Sequence, residues 1–283
     1  MTQIKPQVAW KSIIVTIVSL LILSACLPAQ PPESGAEVGT VVAQTLEAMT
    51  AAAPAPTQPT GLPVSYNNIS FTIPIEMNAS AAPSTNTDVE FPAINPSGGP
   101  MAEHVTFQLT NYPVQGDAQI MVFKASEYAA YGPPMQEAVS ALLVGQDTVQ
   151  PLPETLLQGE FFAQAKPVAF KNGHGVRYLT QVLTNFAPIT NDEIFYYYQG
   201  ITADGAYFVS AVLDVNAPFL VANGSMGSAT PPDGIPFDDS VNLDFPAYLS
   251  AVTKKLNDTP QEGYTPSLLM LDTMIESLQI TTP

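Results

Sequence analysis

The sequence predicts an α+β domain built on one antiparallel sheet of about six or seven strands, with helices packed on it. Three observations carry that prediction. Ala163–Lys171 and His174–Thr184 flank Asn172-Gly173, a pair suited to a two-residue turn between antiparallel strands. Glu193–Thr202 and Ala206–Val215 flank Ala203-Asp204-Gly205, a second turn sequence close behind the first. Two apolar stripes of helical period then close the chain, so strands and helices are grouped rather than alternating.

The elements follow in order from Val64, where one globular domain over 64–283 begins. Ile69, Phe71 and Ile73 alternate with polar positions and stop at Pro74, the signature of a strand. Residues 75–102 lack periodicity and read as a long loop. Val105, Phe107 and Leu109, then Ile120 and Val122, alternate again. Met135, Val139, Leu142 and Leu143 share one face of a helix near Pro133–Val144, with two prolines allowed in its first turn. The two hairpins follow, with Val176, Tyr178, Thr180 and Val182 on one parity and Tyr207, Val209, Ala211 and Leu213 on another. Residues 216–243 form a Pro/Gly/Asp loop. A helix over Phe245–Leu256 carries Tyr248, Leu249, Val252 and Leu256. The last helix takes Thr265 as N-cap and Pro266 as its first residue, and carries Leu268, Leu271, Met274, Ile275 and Leu278. Leu278 and Ile280 extend it as a short edge strand.

This order of three strands, helix, four strands, loop and two helices, with its Ser277-Leu278-Gln279-Ile280 tail, resembles the PsbP-type α+β fold. That fold occurs in photosystem accessory proteins and in many small bacterial lipoproteins. The resemblance covers roughly 64–283; it implies a fold and carries no site residues with it.

The N-terminus has a different character. Lys5 and Lys11 precede the aliphatic stretch Ile13 to Leu23, and small residues follow at Ser24 and Ala25, the three-part layout of a secretory signal peptide over 1–25. A spanning helix needs about 20 apolar residues, and Pro28, Pro31 and Pro32 interrupt this run. A non-lipidated signal would need no cysteine at position 26. Leu23-Ser24-Ala25-Cys26 resembles the lipobox of bacterial lipoproteins. The resemblance implies cleavage before Cys26, acylation of that cysteine, and a lipid anchor facing the extracytoplasmic side of the cell membrane. Leu27, where an Asp would mark retention, resembles the default that permits sorting to an outer membrane.

Residues 26–63 hold the acylated cysteine and a Pro/Ala/Thr-rich tether, a composition that cannot offset the entropy of packing. Within it Val38, Val41, Val42, Thr45, Leu46 and Met49 recur at helical spacing, and a helix of about 12 residues is marginal alone in water. Composition narrows the function classes. Loss of 1–25 leaves six basic and 25 acidic residues, a net charge of −19. That charge disfavours nucleic acid and electrostatic docking on anionic lipid. Cys26 is the only cysteine, so no disulfide or Cys-based metal site can form, and the only tryptophan, Trp10, leaves with the signal.

Catalytic motifs are scarce. There is no Gly-x-Ser-x-Gly elbow, no Ser-x-x-Lys pair and no phosphate-cradling Gly-rich loop. His104, at a strand start, and His174, beside the first turn, both read as surface or rim residues. Asp233, Asp238, Asp239 and Asp244 lie within twelve residues of one Gly/Pro loop and read either as a solvated acidic run or as oxygen ligands for Ca²⁺. Phe195, Tyr196, Tyr197 and Tyr198 are consecutive, so their rings alternate between the sheet faces. They read either as cross-strand packing or, for Tyr196, Tyr197 and Tyr198 with Tyr128 and Tyr131, as a binding surface. The functional expectation is a non-catalytic domain, tethered to the membrane, that binds an envelope protein or a small ligand. Two other classes stay open: an envelope-acting hydrolase with a carboxylate/Tyr site, and a structural envelope component.

Overall fold

The computed structural model of the chain describes residues 61–88, 100–146, 161–183, 186–225, 228–237 and 244–282. Gln58–Pro283 form one compact unit. Its elements are β1 (Gly61–Tyr66), β2 (Ile69–Pro74), β3 (Ser80–Asp88), β4 (Pro100–Thr110), β5 (Ala118–Lys124), α1 (Ala125–Ala129) and α2 (Pro133–Leu143). Then follow β6 (Ala163–Pro167), β7 (Gly173–Thr180), β8 (Phe195–Thr202), β9 (Tyr207–Asp214), α3 (Phe245–Asp258), α4 (Leu268–Glu276) and β10 (Gln279–Ile280). Seven strands form one sheet in the order β3-β4-β5-β9-β8-β7-β6, every neighbouring pair antiparallel. A second sheet of three strands has the order β1-β2-β10. The class is α+β, as the grouping of strands and helices predicts.

Both hairpins form, and the first turns one residue earlier than expected. Phe170 and Gly173 exchange backbone hydrogen bonds of 3.0 and 3.2 Å, so Lys171 and Asn172 make the turn and Gly173 starts β7. Gly173 is required by space: a Cβ there would collide with the Phe170 ring and the Ile201 carbonyl. In the second hairpin Gly205 adopts φ +70°, and the Asp204 carboxylate accepts bonds from the Thr202 hydroxyl and the Ala206 amide.

Several boundaries differ from the sequence reading. The segment 75–102 contains β3, an edge strand whose mostly exposed, small residues pair only with β4. It shows no alternation because neither of its faces is deeply buried. β1 starts at Gly61, three residues ahead of the expected domain start. The last helix starts at Leu268, not after Thr265, because the Thr265 backbone is committed to a two-bond bridge with Asn216.

Both faces of the large sheet are covered. One buries Phe107, Ile120, Val122, Leu179, Tyr196 and Leu213 in a cluster shared with Ile69, Phe71 and Ile73 of β2 and with the apolar sides of α3 and α4. The other buries Met121, Phe123, Tyr178, Phe195, Tyr197 and Phe208 with Tyr128 of α1 and Met135, Val139 and Leu142 of α2. β8 is therefore buried at every position, which a strand between two covered faces requires. Among the described residues no helix is long and apolar enough to cross a membrane.

Candidate functional site

The residues singled out in the sequence are dispersed. Cys26, the 38–49 stripe, Asp238 and Asp239 lie outside the described residues. Asp244 is the N-cap of α3, its carboxylate accepting the Ala247 amide at 3.0 Å. Asp233 is exposed and its backbone carbonyl accepts the Lys255 ammonium. Among the described residues no cluster of three or more His, Cys, Asp or Glu side chains could hold a metal ion.

Tyr196, Tyr197 and Tyr198 do not form an exposed surface, which corrects the binding-surface expectation. All three are fully buried, because α1 and α2 cover the face that the sequence reading left open. Their hydroxyls face inward. Tyr196 donates to Asp272 at 3.1 Å, Tyr198 donates to the Val168 carbonyl at 3.2 Å, and Tyr197 accepts from Ser210 at 3.3 Å. Gly175 and Gly200 oppose one another across β7 and β8 and leave the room that the Tyr198 hydroxyl occupies. Tyr128 is also buried, and only Tyr131 of the proposed patch is exposed.

His104 is buried rather than at the rim, stacked on Phe123 with ring centroids 4.5 Å apart. Burial pushes its pKa below the ordinary value, which keeps the ring neutral, and its Nδ1 bonds the Ala102 carbonyl at 3.0 Å. His174 is half-buried and its Nε2 bonds the Leu142 carbonyl at 3.0 Å, so it fastens α2 to the first hairpin.

Among the described residues, a buried polar assembly that the sequence reading does not single out centres on Arg177 and Asp272. Arg177 of β7 is fully buried; its Nε donates to Asp272 Oδ1 at 3.1 Å and its Nη2 to Oδ2 at 3.4 Å. Lys166 of β6 reaches the same Oδ2 at 2.9 Å. Arg177 Nη1 donates to the Gln164 carbonyl, and the guanidinium lies over the Tyr196 ring, 5.9 Å from its centroid. A bulge between Ala163 and Lys166, with Gln164 at φ +55°, turns that carbonyl towards the arginine. These donors and acceptors are mutually satisfied, and the assembly pins α4 to the edge of the large sheet. Arg177, the one charged residue of β7, and Asp272, set among the apolar residues of α4, are the sequence signal that would have found it.

Carboxyl chemistry concentrates at the far end of β9. Burial, then the charges of Asp117 and Asp192, push the Asp214 carboxyl up to about 7 against the hydrogen bond it accepts from the Asp117 amide. Asp204 is lowered by bonds from Thr202, Ala206 and Thr282, but it sits in the turn at the opposite end of the same strand. At about 3.3 Å per residue the two carboxyls stand roughly 25 Å apart and cannot act as a general acid–base pair.

Among the described residues, an apolar cleft lies between α3 and the loop segments 188–189, 219–221 and 235–237. Ile189, Leu220, Val221, Ile235, Phe237 and Tyr248 line it. Phe237 meets Tyr248 edge-on at 5.1 Å, and the Tyr248 hydroxyl oxygen accepts the Ile189 amide at 2.9 Å. Phe186, 61% exposed, stands against Phe245 at 4.9 Å and extends the aromatic surface outwards. Lys255 lies over Phe219, 4.9 Å from the ring centroid. The free volume is about 10 Å³, room for one water, whereas small-molecule pockets span about 300–1,000 Å³. The geometry suits a shallow contact with an apolar side chain. No family model, curated protein or solved structure matches the chain.

Proposed function

We propose that this chain is an extracytoplasmic lipoprotein, held to the membrane by acylated Cys26, whose globular domain binds a protein of the cell envelope without catalysis. The observation that carries the reading is Leu23-Ser24-Ala25-Cys26 directly after the apolar run Ile13 to Leu23. Three further features support it. A proline-rich tether follows the cysteine, no second thiol competes for modification, and a net charge of −19 after cleavage gives the chain no electrostatic attraction to anionic lipid. Attachment then rests on the acyl chains alone.

The cleft around Phe237 and Tyr248, extended by exposed Phe186, supports a protein as the bound partner. Exposed aromatics beside a shallow apolar depression match the anchors of protein interfaces, while the small volume disfavours an enclosed metabolite. A photo-crosslinking amino acid at position 186 of the full chain, expressed in cells, tests the binding half. A discrete adduct with an envelope protein, lost when Phe237→Asp is added, is the expected result. Adducts with lipid alone, or none, would remove protein binding from the account while leaving the anchor standing.

A further inference from the structure

Asp214, a buried residue with 7% of its surface exposed, ends β9. Three contacts tie it to the β4–β5 connection, residues 111–117. The Asp117 amide donates to Asp214 Oδ2 at 2.8 Å, the Asp214 amide donates to the Asp117 carbonyl at 2.9 Å, and the Tyr112 hydroxyl donates to the Asp214 carbonyl at 3.0 Å. Gly116, at φ +133°, lies so close over the carboxylate that a Cβ would collide with Oδ2.

What faces this carboxyl is negative or neutral. Asp117 comes from the connection itself, Asp192 from the approach to β8, and Tyr112 from the connection. Tyr112 is held well above its ordinary value by burial and by Asp214, so it remains an O–H donor. Glu193 beside Asp192 accepts a bond from Gln181 at 2.6 Å. The six basic residues after Cys26 are Lys124, Lys166, Lys171, Arg177, Lys254 and Lys255. Five are engaged elsewhere, with Glu127, Asp272 (twice), Asp258 and the Asp233 carbonyl. Lys171 lies in the turn at the end of β7 that pairs with Thr202, and Asp214 pairs with Phe195 at the other end of β8. A buried carboxylate supplied with one amide donor and no cation is costly to ionise.

We propose that Asp214 is a pH-operated clasp: as the neutral acid it holds the 111–117 connection against the end of the sheet, and on ionisation it loosens that connection. The neutral acid keeps Oδ2 as acceptor for the Asp117 amide, with its proton on the other oxygen. Loss of that proton leaves a covered charge beside Asp117 and Asp192, and the cheapest relief is for residues 111–117 to swing away and admit water. Burial pushes the carboxyl up to about 7, which places the transition near neutral pH.

Hydrogen exchange of the full chain in detergent micelles, corrected for the intrinsic pH dependence of exchange, reads the clasp directly. Protection of the 114–117 amides is expected to fall about tenfold from pH 6 to pH 8, and to stay level in Asp214→Asn. Equal falls in both proteins, or a level profile in the unaltered chain, would overturn the proposal. Should Asp214→Asn fail to fold, the carboxyl carbon of Asp214 in the unaltered chain decides by NMR. A midpoint near neutrality supports the clasp, and one at the ordinary value of about 4 overturns it.

Discussion

Replacing Asp272 by Leu is expected to destabilise the domain by about 3–5 kcal/mol, the cost of leaving a buried charge without its partner. Asp272 is 2% exposed and Arg177 is fully buried, so water cannot take over the lost bonds. The substitution orphans two guanidinium nitrogens, at 3.1 and 3.4 Å, and the Tyr196 hydroxyl at 3.1 Å. Lys166 loses its 2.9 Å contact too, but its side chain is 40% exposed and rehydrates, so it adds little. Arg177→Met alone leaves the mirror image, a buried carboxylate with Lys166 and Tyr196 as remaining donors, and is expected to cost less. The double variant Arg177→Met, Asp272→Leu removes both charges and fills the space with carbon. It is expected to lie within about 2 kcal/mol of the unaltered chain, because a buried ion pair often contributes no more than the apolar pair that replaces it. Urea unfolding of all four proteins followed by circular dichroism closes the cycle. If the two single costs simply add in the double variant, the pair is not coupled and the reasoning fails.

Further outcomes follow from the same geometry. Gly173→Ala is expected to lower the unfolding midpoint by more than Gly224→Ala, because its Cβ would meet Phe170 and the Ile201 carbonyl while Gly224 has open space; thermal denaturation compares them. Asn172→Ala removes both bonds to Ile280, one to its carbonyl and one of 3.1 Å from its amide, and is expected to cost about 1–3 kcal/mol and release β10; proteolysis of the C-terminus reports it. Asp214 makes stability depend on pH with a definite sign. Its carboxyl is raised to about 7, so the folded chain binds the extra proton and stability falls as pH rises from about 4 to about 7. The loss attributable to Asp214 is on the order of 4 kcal/mol, and Asp214→Asn removes that slope in urea titrations across the range.

How much of this was legible in the sequence depended on how local each signal was. The hairpin around Ala203-Asp204-Gly205 was readable because one glycine at φ +70° and one Asx turn decide it within a few residues. Asn172-Gly173 marked the right hairpin but misplaced the turn, since Gly173 is there for close packing rather than for positive φ. β3 was missed because an edge strand of small exposed residues borrows its order from β4. The tyrosine run displayed its two-faced parity correctly, yet parity cannot say whether helices lie on one face or both. Asp272 and Arg177, 95 positions apart, meet only through the packing of α4 on the sheet edge. Asp214 looks ordinary at the end of its strand, and its setting comes from a connection about a hundred residues away.

The most direct test of the account is the anchor itself. Full-length chain and Cys26→Ser are to be expressed in a bacterium fed labelled palmitate, and the membrane fraction compared with the soluble fraction. The account predicts label on the unaltered protein only, and release of the Cys26→Ser protein from its lipid-dependent membrane attachment. Label retained by Cys26→Ser, or an unlabelled unaltered chain that still sediments with membranes, would contradict it.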